Sequence, residues 1–217
     1  MADATLKNFS AEAQLALAHT PLKVREALRI FLELDSRLAR IVAGTSEPML
    51  GQMRLAWWRE TLALEADKRP GGDAVLDAIG EIWRGEEPTL ITLVDGWEAM
   101  LAEELDAEAV HGFADGRSAP FPAIARMAGE GEGFARSAGR RWAMIDAAVH
   151  VGAGTERDLL IEVARSEANR NPRLPRSLRG LAVLDALARR SLARGGRPLM
   201  EGRGAALTAL RAAIIGR

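Results

Sequence analysis

Ser46-Glu-Pro-Met-Leu-Gly-Gln-Met-Arg-Leu-Ala-Trp-Trp-Arg-Glu-Thr-Leu-Ala-Leu-Glu65 carries two of the five tryptophans side by side, and its reading decides the fold. Ser46 is placed to cap a helix. Pro48 falls in the first turn, where a fixed φ and a missing N–H do no harm, and Glu47 sets a negative charge near the positive end of the dipole. Wound at about 100° per residue, Leu50, Met53, Leu55, Trp57, Trp58, Leu62 and Leu64 fall on a wide apolar arc, with Gln52, Arg59 and Glu60 opposite. Arg54 breaks the pattern, because it lies inside that arc next to Leu50 and one turn before Trp57 and Trp58. Two readings follow for it. Either the guanidinium snorkels to the rim or pairs with a core carboxylate, or it lines a cavity that holds an anion.

The rest of the composition agrees with helices. Tyrosine is absent, phenylalanine is sparse, and alanine, leucine and arginine abound without β-branched runs. The chain of 217 residues is long enough to bury a substantial core, and one domain over 1–217 is the expectation. With no cysteine, disulfides, thiolate metal sites and a cysteine nucleophile are excluded, and a cytoplasmic setting is favoured. His19, His111 and His150 are isolated and read as surface or packing residues. No stretch reaches the length of a charge-free membrane span, and residues 1–20 lack the pattern of a signal peptide.

From Leu22 to Ala43 the residues Val24, Ala27, Phe31, Leu34, Leu38 and Ile41 recur at helical spacing, which predicts a long amphipathic helix opened by Thr20-Pro21. Asp35 lies on its apolar side, near Phe31. The connection over 44–46 is tight, so the two helices should be antiparallel, and Asp35 and Arg54 then arrive at nearly the same level. The expectation is a shielded Asp35–Arg54 ion pair.

Further helices are predicted over 11–18, 74–84, from Pro88, over 121–128, 134–151 and 156–168, and from Ser177. His111 to Gly116 reads as a break. Leu207, Leu210 and Ile214 are expected to form the core face of the last helix. Glu103, Glu104, Asp106 and Glu108 read as a solvated helix end rather than a metal site. Residues 1–133 carry 13 Lys+Arg against 23 Asp+Glu, and residues 134–217 carry 16 against 7. That asymmetry can serve mutual attraction of two halves of one bundle, the preferred reading, or give the C-terminal part an anionic partner. Arg170, Arg173, Arg176 and Arg179 form a basic tract that could touch an anionic membrane surface, peripherally to the inner membrane. No phosphate-binding glycine loop, dinucleotide fingerprint, nucleophile elbow or HExxH motif is present, and nothing resembles a nucleic-acid binder. No cofactor is expected.

The stretch Ser46 to Glu60 resembles the "SEPxLGxIRLxWWRD" hallmark of the squalene/phytoene synthase family. Looser likeness extends to Ala27-Leu-Arg-Ile-Phe31, Asp95-Gly-Trp-Glu98, Phe113-Ala-Asp-Gly-Arg117 and Ala138-Gly-Arg-Arg-Trp-Ala143. The resemblance implies the all-α terpenoid synthase fold, a single-domain bundle of helices around a central cavity. It also implies prenyl-diphosphate condensation with Mg²⁺ held by two Asp-rich motifs on facing helices. Here the first motif's aspartates would fall on Ser36, Arg37 and Arg40, and the run after Asp146 offers no paired carboxylates. No catalytic residue and no metal ligand can be carried over.

What the resemblance implies is therefore a non-catalytic member, similar to the branch that includes a mitochondrial complex I assembly factor. Such a pseudoenzyme binds a protein partner or an isoprenoid or other lipid-like ligand, with Asp35, Arg54, Trp57, Trp58 and Phe31 as the candidate cavity-lining residues. The alternative is an active prenyltransferase of squalene or phytoene synthase type, a divergent one using Glu33, Asp35 or Asp146. A plain helical scaffold is a third reading.

Overall fold

The computed structural model describes residues 9–45, 47–167 and 173–216, and among them every regular element is helical. Ser46 and Arg170, which carried two of the sequence expectations, lie outside the described residues. The first pair of helices is α1 (Ala11–His19) and α2 (Leu22–Ala43). Ser10 caps α1 by accepting the Ala13 N–H. Thr20 was expected to open α2; it closes α1 instead, buried and donating its hydroxyl to the Ala16 carbonyl at 2.7 Å, so Pro21 stands at the start of α2. Along α2 the expected seam is buried from Val24 to Leu38, and only its last member, Ile41, is partly open.

After a short turn, α3 (Pro48–Ala63) runs with Pro48 in its first turn, as its sequence dictates. It packs mainly against α5 rather than α2. The wide apolar arc divides in two: Gly51, Leu55, Trp58 and Leu62 face the core, whereas Leu50, Met53 and Trp57 face out. A helical wheel gives the width of an apolar arc but not which half of it meets a neighbour. Here Gly51 settles the matter, since a Cβ there would come within 2.9 Å of the Leu101 side chain.

Next come α4 (Ala74–Ile82), α5 (Glu87–Ala99), α6 (Ala107–Ser118), α7 (Pro120–Ala128) and α8 (Gly133–His150). The break expected over His111–Gly116 does not occur. Asp106 caps α6 by accepting the Ala109 N–H at 2.8 Å, and burial of Val110, Phe113 and Ala114 carries the helix through both glycines. The chain ends with α9 (Thr155–Ser166), α10 (Arg179–Ala193) and α11 (Gly204–Ile215). In α11 the expected core face is reversed. Ala205, Ala209 and Ala212 are buried, while Leu207, Leu210 and Ile214 are 70%, 50% and 67% exposed. Small residues bring α11 close to α10, and the large ones are left outside.

One apolar cluster runs from Ala13 to Ala212. At its centre α8 touches α6, α7, α9 and α10, and α2 lies against α4, α5 and α7. Phe31, Phe121 and Trp142 join these groups edge to face, with centroids 5.1, 6.2 and 5.5 Å apart.

At the entry to α4, Asp73 accepts the Val75 and Leu76 N–H groups and pairs with Arg37 at 2.6 Å. Partial burial works against its charge, but Arg37 and the two amides outweigh it and hold the carboxyl below the usual range. A lowered carboxyl stabilises the fold above the unfolded-state value and loses that contribution as pH falls through the folded one. Asp73→Asn keeps a capping oxygen but loses the charge paired with Arg37, and is therefore expected to cost up to about 1 kcal/mol at neutral pH and less in acid, read from urea unfolding at several pH values.

Candidate functional site

α5 and α6 run antiparallel and meet glycine on glycine. A Cβ built on Gly116 would lie 2.5 Å from the Gly96 Cα and 2.6 Å from the Thr92 carbonyl oxygen, so neither position accepts a side chain without parting the helices. The residues that follow these glycines, Trp97 and Arg117, both reach Asp35 on α2. Trp97 Nε1 donates to Asp35 Oδ1 at 2.7 Å. Arg117 donates from Nε to Oδ1 at 3.0 Å and from Nη2 to Oδ2 at 2.8 Å, a forked pairing. The same Nη2 donates to Asp146 Oδ2 on α8 at 2.7 Å, and Nη1 to the Ala143 carbonyl at 3.1 Å.

The guanidinium is packed between rings, 4.3 Å from the centroid of Trp142, 5.0 Å from that of Trp97 and 5.7 Å from that of Phe113. Arg117 and Asp35 are each 4% exposed and Asp146 is 8% exposed. Burial opposes the charge of Arg117, but the two aspartates outweigh it and hold the guanidinium above its ordinary value. Four helices thus converge on one fixed cation flanked by two carboxylates.

The cluster borders a cavity of about 170 Å³ that also touches Ser36, Trp142 and His150. Trp142 Nε1 is buried without an acceptor among the described residues. His150 is exposed and its Nδ1 lies 2.8 Å from the Asp146 carbonyl oxygen. A second buried pair lies on the other side of α8, where Arg141 Nε donates to Asp185 Oδ1 of α10 at 2.8 Å and Arg189 approaches the same carboxylate at 3.3 Å. Arg141 is fully buried, and burial pushes the Asp185 carboxyl up against the pull of both guanidiniums.

The expected Asp35–Arg54 pair does not form. Asp35 is satisfied by Arg117 and Trp97, and Arg54 is exposed on α3. On α3 the edge that carries Arg54 is turned to solvent, and the helix packs mainly on α5. Of the other candidates, Phe31 is buried in the aromatic cluster and is not on the cavity wall, Trp58 is buried with the Arg37 guanidinium 6.0 Å from its ring, and Trp57 is 45% exposed. Asp35 alone of the five borders the cavity.

Sequence reasoning does not single out Arg117, because it follows the stretch His111 to Gly116 that reads as a break. The signal is present in the repeated Asp-Gly pairs at 95–96 and 115–116, in which each glycine is a point of helix contact and precedes a residue that reaches Asp35.

No family model, curated protein or solved structure matches the chain.

Proposed function

We propose that this protein is a divergent, non-catalytic relative of the squalene/phytoene synthases that works as a binding or assembly protein. The observation that supports this most is the position of Arg117. In an active member, the resemblance implies carboxylates on facing helices that hold Mg²⁺ and draw off a diphosphate. In this chain Asp35 and Asp146 also come from two helices, but their charge is already met by a guanidinium locked between three rings. The donor set does not fit a metal: both carboxylates are occupied, and no group of three or more acidic or histidine side chains among the described residues is arranged to hold one.

Size argues the same way. Pockets for drug-sized molecules occupy about 300–1,000 Å³, and the cavity of about 170 Å³ beside Asp35 is smaller than that, which weighs against a site for two prenyl diphosphates. A protein partner at the surface is favoured over an isoprenoid in the core. Of the four arginines that would meet an anionic membrane, Arg173 and Arg176 are exposed, Arg179 is buried and donates to the Leu174 carbonyl, and Arg170 lies outside the described residues. Each exposed cation contributes about 1 kcal/mol near a charged surface. No helix among the described residues is long and apolar enough to cross a membrane.

Incubation with farnesyl and geranylgeranyl diphosphates and Mg²⁺, followed by product extraction, tests the reading. Neither squalene nor phytoene is expected. Formation of either would return the competing reading, a prenyl-diphosphate condensing transferase, and would require Asp35 and Asp146 to be released from Arg117.

A further inference from the structure

The charge asymmetry of the chain is not consumed within it. Most ion pairs lie inside one half: Arg37 with Asp73, Arg59 with Asp95 and Glu98, and Arg126 with Glu86 in the acidic part. In the basic part Arg141 holds Asp185, and Arg194 and Arg197 approach Glu201. Across the boundary after residue 133 the pairs seen among the described residues are Arg117–Asp146 and Arg140–Asp115. The reading preferred from sequence, attraction between halves of one bundle, therefore accounts for little of the imbalance. Each half keeps its surplus outward.

Each half also exposes one helical stripe of large apolar side chains. On α3 these are Met49, Leu50, Met53 and Trp57, exposed by 71%, 47%, 65% and 45%. At helical rise the stripe is ~12 Å long. Beside it, lined by Gln52 of the same helix, lies a groove of about 580 Å³ whose walls include Glu104, Asp106 and Glu108. These three acidic residues are exposed and form no ion pair among the described residues. On α11 the stripe is Leu207, Leu210 and Ile214, ~10 Å long, and it runs with the exposed Arg203 and Arg211 on the same side of the helix. An acidic groove next to an apolar ridge repels an anionic membrane and suits a basic amphipathic helix. The chain itself carries such a helix, of matching length.

We propose that two copies of this chain associate head to tail, with α11 of one laid along the α3 ridge and its Arg203 and Arg211 directed to the Glu104–Glu108 groove of the other. The contact is heterologous, joining different faces of the two copies, so it propagates unless the geometry closes it. The inference rests on exposed surface and charge, and is independent of the family resemblance.

The faces are separable by mutation because the residues are exposed. Met53→Glu removes the ridge but keeps α11, and Leu207→Glu does the reverse. Wild-type mass by light scattering is expected to rise with concentration and to fall when salt is added, as screening weakens the charged part of the contact. Each variant alone should be monomeric with an unchanged circular dichroism spectrum. Mixed together, the two variants should form a one-to-one dimer, since each supplies the face the other lacks. A monomeric wild type at sub-millimolar concentration overturns the proposal. So does persistence of assembly in Leu207→Glu alone, which would indicate ridge-on-ridge pairing, and so does Met53-dependent binding to vesicles of anionic phospholipid, which would give the ridge to a membrane.

Discussion

Arg117→Met is expected to destabilise the protein by roughly 3–5 kcal/mol, the cost of leaving buried carboxylates without their partner. Two carboxylates lose a counter-charge at once. Asp35 keeps only the Trp97 N–H, and Asp146 loses the Nη2 donor that reaches it at 2.7 Å. Methionine fills much of the volume between Trp97, Phe113 and Trp142, so a cavity contributes little to the loss and the effect is chiefly electrostatic. Removing the charges together tests this. Asp35→Asn and Asp146→Asn, added to Arg117→Met, should restore more than half of the lost stability, because a buried ionic cluster replaced as a whole costs far less than one broken. Asparagine at 35 still offers an oxygen to Trp97. Urea unfolding of the single and triple variants reads the difference, and equal midpoints for the two would mean that packing, not charge, holds this point.

Arg141→Met is the second large expectation, again about 3–5 kcal/mol. Arg141 joins α8 to α10 through Asp185 and also donates to the Glu167 carbonyl at the end of α9, so three helices share one guanidinium. Asp185 would keep Arg189 but lose its closer partner. Burial already raises the Asp185 carboxyl, and without Arg141 it rises further. A carboxyl raised on folding contributes stability below its unfolded-state value and loses it as pH climbs through the folded one. The deficit of the variant should therefore be largest at neutral pH and shrink in mild acid. Thermal unfolding at two pH values reads this dependence, and a deficit independent of pH would count against Asp185 as the cause.

Helix positions were legible wherever apolar spacing and punctuation agreed. The span Leu22–Ala43 and the start of α3 at Pro48 follow directly from such signals. What the chain did not disclose was how deeply each face is buried. In α11 the leucines look like a core, but Ala205, Ala209 and Ala212 are what fits against a close neighbour, and residue size worked against residue hydropathy. In α3 the apolar arc is wider than the contact it makes: Trp58 lies inside the contact, and Arg54, on the same arc, lies outside it. Asp35 stood out because a charge on an apolar seam needs a partner. Its true partner is 82 residues away in sequence, on a helix that glycines had seemed to break.

Gly96 and Gly116 have a mechanical role beyond letting two helices touch. Backbone rests on backbone there, with no flexible side chain between to absorb a displacement, and the next residue on each helix holds Asp35. Because Trp97 on α5 and Arg117 on α6 both bond the Asp35 carboxylate beside this contact, a substitution that parts the two helices there would strain both sets of hydrogen bonds at once.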